Sequence, residues 1–277
     1  MSKARKRIIP GFGISLGITL SYMSMIVLIP FMSLSFQATK LGFGGFLRAV
    51  TDPRTLAACK VSFLCAFVGA LINSVMGLIL AWVITRYRFP FRKLIDGLIE
   101  LPFALPTAVA GISLTVLTTN NGWLGKPLFD LFGLRIAYTR LGIILAITFI
   151  TIPFVVRSIQ PVLERLPRDY EDAGLLLGAG PFTVFRKVIL PEIRPALLTG
   201  FSLAFARGLG EYGSVIFIAG NMPYRTEIAP LVIMIKLEQF NYGEATAVAV
   251  LMLAFSFAIM FVVNRFQARA GFFAGEH

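Results

Sequence analysis

The chain has 277 residues, of which 57% are hydrophobic and 14% are charged, whereas about a quarter of the residues in soluble globular domains are charged. Its apolar residues come in long uninterrupted blocks, which excludes one soluble core and nearly all soluble enzymes. The net charge of +12 comes from 26 Lys and Arg against 14 Asp and Glu, and in a membrane protein such an excess reports topology.

Blocks of roughly 20 apolar residues predict transmembrane helices. Six are predicted, at residues 12–36, 61–85, 98–119, 141–156, 197–219 and 245–264. The first block follows a basic segment but is too long for the apolar region of a signal peptide, so we expect a spanning helix there. The predicted fold class is an all-α membrane protein with six transmembrane helices.

The distribution of positive charge predicts the orientation of these helices. If the N-terminus is cytoplasmic, sixteen Lys and Arg lie in the inner segments and nine in the outer segments, which favours both termini inside. Residues 1–11 and 265–277 are then cytoplasmic tails, and residues 12–264 form one transmembrane domain. Its longest cytoplasmic segment is the loop 157–196.

Helix-breaking residues interrupt the third predicted span, where Pro102, Pro106 and Gly111 follow Glu100. Broken helices at membrane depth are tolerated where they are buried in protein or line a wet cavity. The pattern therefore favours either a kinked helix that lines a translocation path or a kink that only shapes packing.

The cytoplasmic loop has the pattern of two short helices. Asp169, Glu171 and Asp172 crowd a first turn, where carboxylates complement a helix N-terminus. Gly178 is expected to stop this helix, and Pro181 is suited to the first turn of the next one.

Gly174 and Gly178 are four residues apart, which predicts that they share one helix face and admit a close neighbour. That neighbour is either the chain's own helical bundle or a soluble cytoplasmic subunit that docks on the loop. The spacing alone leaves both interpretations open.

The fifth predicted span contains two charged residues, Arg207 and Glu211. Their spacing of four allows them to pair on one face of a helix, and an unpaired charge at that depth is costly. The pair is either a structural ion pair or part of a gate, and Arg207 is the better candidate for attracting an anion.

The sequence lacks the motifs of a nucleotide hydrolase, a zinc hydrolase and a serine hydrolase. A Gly-x-x-x-x-Gly-Lys-Ser/Thr loop for nucleotide phosphates is missing, and the single histidine is His277. A zinc site of the His-Glu-x-x-His type and a Ser-His-Asp triad are therefore excluded. We predict no catalytic residue, no metal site and no cofactor in this chain.

The order of residues in the cytoplasmic loop resembles the signature loop of permease subunits of bacterial ABC importers. That signature is Glu-Ala-Ala, three residues, Gly, nine residues and Ile-x-Leu-Pro. The chain has matching residues at Asp172, Ala173, Gly174, Gly178, Val188, Leu190 and Pro191. The resemblance implies that this loop, including Glu171, contacts a separate ATP-hydrolysing subunit, which would bind the ATP and Mg²⁺.

Three longer stretches, residues 85–112, 150–167 and 205–233, look like successive parts of sulfate/thiosulfate permease subunits of the CysT type. The resemblance implies an importer in the cytoplasmic (inner) membrane. Its expected partners are a second related permease chain, two copies of the ATPase and a periplasmic sulfate-binding protein.

Two other functions remain open. Molybdate and tungstate permeases share the Gly-Glu-aromatic-Gly pattern found at residues 210–213, and their substrates are also divalent tetrahedral oxyanions. The second alternative is a secondary anion carrier without an ATPase, which the loop motif disfavours.

Overall fold

The computed structural model describes residues 12–272 of the chain. In the first half, the helices are α1 (Phe12–Lys40), α2 (Gly42–Thr51), α3 (Pro53–Arg86), α4 (Arg92–Ile99), α5 (Leu101–Ala104), α6 (Thr107–Thr118) and α7 (Gly125–Phe132). In the second half they are α8 (Arg140–Arg165), α9 (Asp169–Leu176), α10 (Pro181–Val184), α11 (Leu190–Leu209), α12 (Val215–Ile218), α13 (Ala229–Glu238) and α14 (Tyr242–Phe272).

A π-helical turn, Phe185–Ile189, joins α10 to α11. No strand occurs between residues 12 and 272, which agrees with the predicted all-α class. The predicted N-terminal tail and the last five residues of the C-terminal tail lie outside the described residues.

Five helical stretches are long and apolar enough to cross a membrane: Phe12–Lys40, Pro53–Arg86, Arg140–Arg165, Pro181–Leu209 and Tyr242–Val262. The third predicted span, 98–119, is divided among α4, α5 and α6, and only α6 is an apolar helix of intermediate length. The count of six spans and the cytoplasmic position of the termini stay predictions.

Several helices differ in length from the predicted spans. The helix α3 begins at Pro53 instead of residue 61, and α14 continues to Phe272, into the segment predicted as a C-terminal tail. The helix α8 continues to Arg165 instead of ending at residue 156, because Ile159 and Leu163 continue its buried face. The helix α11 ends at Leu209, well before residue 219, because the next residues form a polar turn.

The helices α3, α8 and α11 pack against one another and form the centre of the bundle. A Cβ atom on Gly69 of α3 would lie 3.0 Å from Cγ2 of Ile147 on α8, and one on Gly208 of α11 would lie 2.6 Å from the same methyl group. Ile147 therefore fills the space that two glycines leave on opposite neighbours. Small residues allow such close approach where lipid surrounds the helices.

A second layer of the same kind lies two turns further along α8, at Val155. A Cβ atom on Gly77 of α3 would lie 2.8 Å from Cγ1 of Val155, and one on Gly200 of α11 would lie 2.8 Å from its Cα. Between the two layers, Asn73 Nδ2 donates hydrogen bonds to the Thr148 carbonyl at 3.0 Å and to Thr151 Oγ1 at 2.7 Å. Asn73 is thus an interhelical hydrogen-bonding residue.

An ion pair and a hydrogen bond attach the connection between α12 and α13 to this core, on the outer side in the predicted orientation. Arg54 of α3 makes two hydrogen bonds to the buried carboxylate of Glu227, at 2.8 and 2.6 Å. Arg140 Nε at the start of α8 donates to the Arg225 carbonyl at 2.8 Å. The connection is therefore fixed to two helices of the core.

We predict that Gly208→Val destabilises the chain, because the added atoms would overlap Ile147. Overpacking of this kind costs about 1–3 kcal/mol. The measurement is thermal unfolding of the purified chain in detergent.

Gly210→Val is the matched control, since nothing lies within 4 Å of a Cβ atom at that position. Equal melting temperatures for the two variants would contradict the close approach of α11 to α8.

Candidate functional sites

Two helix breaks meet at one place in the bundle. The first lies at Leu105 and Pro106, between α5 and α6, and the second is the turn 210–214 between α11 and α12. A Cβ atom on Gly111 of α6 would lie 2.6 Å from the Cα of Ser214, and one on Gly213 would lie 3.1 Å from Cβ of Thr107. The first turns of α6 therefore lie directly against the turn that ends α11. We call this contact the break junction.

The predicted path residues of the third span occupy different places in this region. Pro102 is buried in the first turn of α5, and Pro106 is exposed just before α6. Gly111 is buried against Ser214. The prolines separate three helical pieces, and Gly111 allows the last piece to approach the turn 210–214.

Arg207 and Glu211 form the predicted ion pair at the break junction. Arg207 Nη1 lies 2.5 Å from Glu211 Oε2. The other carboxylate oxygen of Glu211 accepts hydrogen bonds from the backbone N–H and the hydroxyl of Ser214, both at 3.0 Å. Glu211 is buried, and both of its carboxylate oxygens have partners. These contacts stabilise the turn that follows α11.

Arg207 differs from its partner in exposure. Its side chain is 38% exposed, against 2% for Glu211, and only Nη1 of its guanidinium has a contact within the described residues. The contacts of Glu211 fit the interpretation of a structural ion pair. Arg207 is the member of the pair whose other N–H groups are available to bind an anion.

A second charged cluster lies at the start of the third predicted span. Arg157 of α8 contacts Asp96 Oδ1 through Nη1 at 2.7 Å and Glu100 Oε1 through Nη2 at 2.8 Å. Nη2 also donates to the Asp96 carbonyl at 3.2 Å. The cluster fastens α4 to α8 at a point where α4 gives way to α5. Sequence reasoning missed it, because residues about 60 positions apart carry no local signal of pairing.

The predicted first helix of the cytoplasmic loop is present as α9. It begins at Asp169 with all three acidic residues in its first turn and ends at Leu176. Gly178 follows with a positive φ of 80°, its N–H donates to the Leu175 carbonyl at 2.9 Å, and the next N–H donates to the Gly174 carbonyl at 3.1 Å. Gly178 therefore terminates the helix through a left-handed conformation that only glycine adopts readily.

The prediction that Gly174 and Gly178 share a helix face is wrong. Gly178 lies beyond the end of α9, and nothing lies within 4 Å of a Cβ atom there. Gly174 lies within α9, and its Cβ atom would be 2.9 Å from Cγ2 of Val184 in α10. Close approach is thus needed at Gly174, where the loop folds on itself, and backbone conformation is the requirement at Gly178.

The tip of this loop exposes large apolar side chains. Leu176 and Leu177 are each 89% exposed and Phe182 is 74% exposed. Asp172 and Ala173 of the signature are exposed on the adjoining helix. We call Leu176, Leu177 and Phe182 the loop tip, and its composition is typical of an interaction surface.

The second half of the signature lies nearer the bundle. Val188 and Leu190 are partly buried against the core, and Pro191 is exposed in the first turn of α11. These residues connect the loop to a helix of the three-helix core. From Pro181 the helical stretch continues through the π-helical turn to Leu209. The prediction of a separate second short helix is therefore wrong, because no helix-breaking residue separates Phe185 from α11.

Comparison with known proteins places the chain in a family. Residues 73–271 match the family described as "Binding-protein-dependent transport system inner membrane component". The chain is 46% identical over 271 residues to the "Sulfate transport system permease protein CysT" of Salmonella typhimurium, with 98% of each chain covered. It is 47% identical over 266 residues to the protein of the same name from Escherichia coli, with 96% of each covered.

A solved structure has the same fold. It is a bacterial alginate ABC transporter in complex with an alginate pentasaccharide-bound periplasmic protein, with a TM-score of 0.77 at 18% identity. The match covers 93% of this chain and 94% of the other. Together with the family match, which covers well over half of the sequence, this confirms the resemblance to ABC importer permeases. The chain is a multi-pass membrane protein that belongs to the family of inner membrane components of binding-protein-dependent transport systems.

Proposed function

We propose that this chain is a permease subunit of an ATP-driven importer of sulfate and thiosulfate in the inner membrane. The observation that carries the proposal is the identity of 46% and 47% to two sulfate transport system permease proteins over nearly the whole chain. The chain catalyses movement of the anion and no covalent chemistry. Molybdate or tungstate is the alternative substrate class.

The proposed complex contains a second related permease chain, two copies of a cytoplasmic ATPase and a periplasmic binding protein that delivers the anion. The ATPase binds ATP and Mg²⁺. The alginate transporter of the same fold was solved with a periplasmic protein bound, which supports delivery by such a partner. The exposed loop tip provides this chain with an apolar surface for the ATPase.

The three-helix core explains how movement of the loop could reach the membrane. The loop follows α8 and leads directly into α11. These two helices pack closely against each other and against α3 at Ile147 and Val155, where glycines of α3 and α11 leave space. Closely packed helices move as rigid bodies, because their interfaces do not deform continuously. ATPase closure would therefore tilt the core as a unit, while the helix breaks allow neighbouring segments to respond differently.

The break junction is the proposed part of the translocation path. Arg207 is half-exposed there and offers N–H groups to a divalent oxyanion, whereas the carboxylate of Glu211 is occupied by Arg207 and Ser214. Glu211 thus holds Arg207 in place without presenting free negative charge to the anion. Alternating access follows if the junction opens to one side at a time.

The first prediction from this proposal concerns the substrate. Reconstituted in liposomes with its co-purifying ATPase and a binding protein, the complex should hydrolyse ATP faster when sulfate or thiosulfate is supplied. The same liposomes without binding protein are the control. Stimulation by molybdate alone would move the assignment to the alternative substrate class, and absence of any associated ATPase would contradict the proposed function.

The second prediction concerns Gly178. We expect Gly178→Ala to lower anion uptake while leaving membrane insertion intact, because a side chain in the left-handed conformation costs about 1–2 kcal/mol and shifts the loop tip. Uptake into vesicles and the amount of inserted protein are the two measurements.

Gly133→Ala is the matched control for this variant. Gly133 ends α7 with a φ of 63° and has the same open surroundings, but it lies outside the cytoplasmic loop. Equal uptake by the two variants would remove the special role of the loop.

The third prediction concerns Glu211. Glu211→Gln keeps the shape of the side chain but leaves Arg207 without its charged partner, and losing a hydrogen bond to a charged group costs about 1.5–3 kcal/mol. We expect uptake to fall about tenfold, measured at matched protein abundance. Glu238→Gln, at the exposed end of α13, is the control, and unchanged uptake in Glu211→Gln would make the pair dispensable for transport.

A further inference from the structure

Arg86, the last residue of α3, joins that helix to the cytoplasmic loop. Its Nη2 atom forms an ion pair with Glu171 Oε1 of α9 at 2.7 Å. The same nitrogen donates a hydrogen bond to the Leu166 carbonyl, between α8 and α9, at 3.2 Å. In return, Arg168 Nη2 donates to the Arg86 carbonyl at 2.8 Å. The end of α3 is thus connected to the segment 166–171 in both directions.

The ion pair is shielded from solvent. The side chain of Arg86 is 10% exposed and that of Glu171 is 21% exposed, although both residues lie at the end of the bundle. Exposed ion pairs contribute little because water screens them, whereas removing one member of a buried pair leaves an uncompensated charge. The contact is an ion pair without a hydrogen bond, because Glu171 Oε1 accepts none within the described residues. Its effect is therefore electrostatic, and loss of either member would leave the other charge buried and uncompensated.

An aromatic contact one turn earlier on α3 reaches the other half of the loop. The ring of Trp82 meets the ring of Phe185 edge to face, with centroids 5.8 Å apart, and the guanidinium of Arg86 lies 5.8 Å from the centroid of the Trp82 ring. Phe185 begins the π-helical turn that leads into α11. Two residues of α3 therefore contact both halves of the loop.

The path of the chain gives this contact its importance. The loop is covalently joined to α8 and α11 but not to α3, and α9 itself packs mainly on α10 and the π-helical turn. Within residues 12–272, one ion pair joins α9 to α3, and it is the pair of Glu171 with Arg86. Without it, the remaining contacts of α3 with the loop reach Leu166, Arg168 and Phe185, which flank α9, and none reaches a charged side chain of α9 itself.

We propose that Arg86 and Glu171 are positioning residues that make α3 follow α9 when the ATPase engages the loop, so that ATP hydrolysis and anion transport stay coupled. The proposal rests on the proposed function. Neither residue contacts the transported anion. The pair keeps the docking helix and the end of α3 at a fixed separation while the loop moves.

The test uses the reconstituted complex with binding protein and sulfate, in wild-type form and with Arg86→Gln, Glu171→Gln and both changes together. The measured quantity is the number of ATP molecules hydrolysed per sulfate taken up. We expect each single variant to raise this ratio about threefold or more, within the range by which residues along a coupling route modulate it. The double variant should resemble the single ones, because the two residues act as a pair.

Two controls remove the same charges without touching the pair. Arg88→Gln neutralises an exposed residue two positions beyond Arg86, and Asp169→Asn neutralises an exposed residue in the first turn of α9. Both should retain the wild-type ratio. An equal effect of Asp169→Asn and Glu171→Gln would overturn the proposal in favour of a general effect of charge at the helix start.

A second measurement keeps the proposal testable if a variant assembles poorly. Amide hydrogen exchange of α9 in the purified chain should be faster in Glu171→Gln than in the wild type, while exchange in α8 and α11 should be unchanged. Unchanged exchange in α9, or additive effects in the double variant, would overturn the proposal. A wild-type complex without anion-stimulated ATPase would instead contradict the proposed function, so the two failures are distinguishable.

Discussion

Close packing of three helices in lipid is the constraint on which the rest of the structure depends. Lipid tails solvate apolar side chains as well as a neighbouring helix does, so helices associate through close van der Waals contact and hydrogen bonds. Here α8 inserts Ile147 and Val155 between glycines of α3 and α11, and Asn73 adds hydrogen bonds between the layers. The result is a closely packed core. Both candidate functional regions are attached to it, the break junction through α11 and the cytoplasmic loop through α8 and α11.

Departures from regular helix occur where local contacts satisfy the freed polar groups. After α11, the carboxylate of Glu211 accepts from the Ser214 N–H and hydroxyl while it pairs with Arg207. Between α4 and α5, Arg157 holds the carboxylates of Asp96 and Glu100. Each of these charged groups has an opposite charge within contact distance. The breaks are consequently held by specific side-chain contacts.

Much of this organisation could be predicted from local sequence. Long apolar blocks predicted the long helices, the acidic residues from Asp169 onward predicted the start of α9, and Gly178 and Pro181 predicted its end and the start of the next helical stretch. The spacing of Arg207 and Glu211 predicted their ion pair. The shared face of Gly174 and Gly178 was predicted wrongly, because the helix ends between them and the spacing rule assumes that it continues. The cluster around Arg157 and the pair of Arg86 with Glu171 could not be predicted, because their members are 57 or more positions apart.

The sequence by itself determined that the chain lies in lipid, that it is helical, where α9 begins and ends, and that it resembles importer permeases. Each of these depends on composition or on residues within a few helical turns. Only the tertiary structure decided which glycines admit a neighbour and which take a left-handed conformation. It also decided that the two helix breaks meet, and that α3 is tied to α9 through Arg86. The physical reason is that close approach and ion pairing depend on distances between helices. Those distances are set by packing across the bundle, and the local pattern of residues along one helix does not contain them.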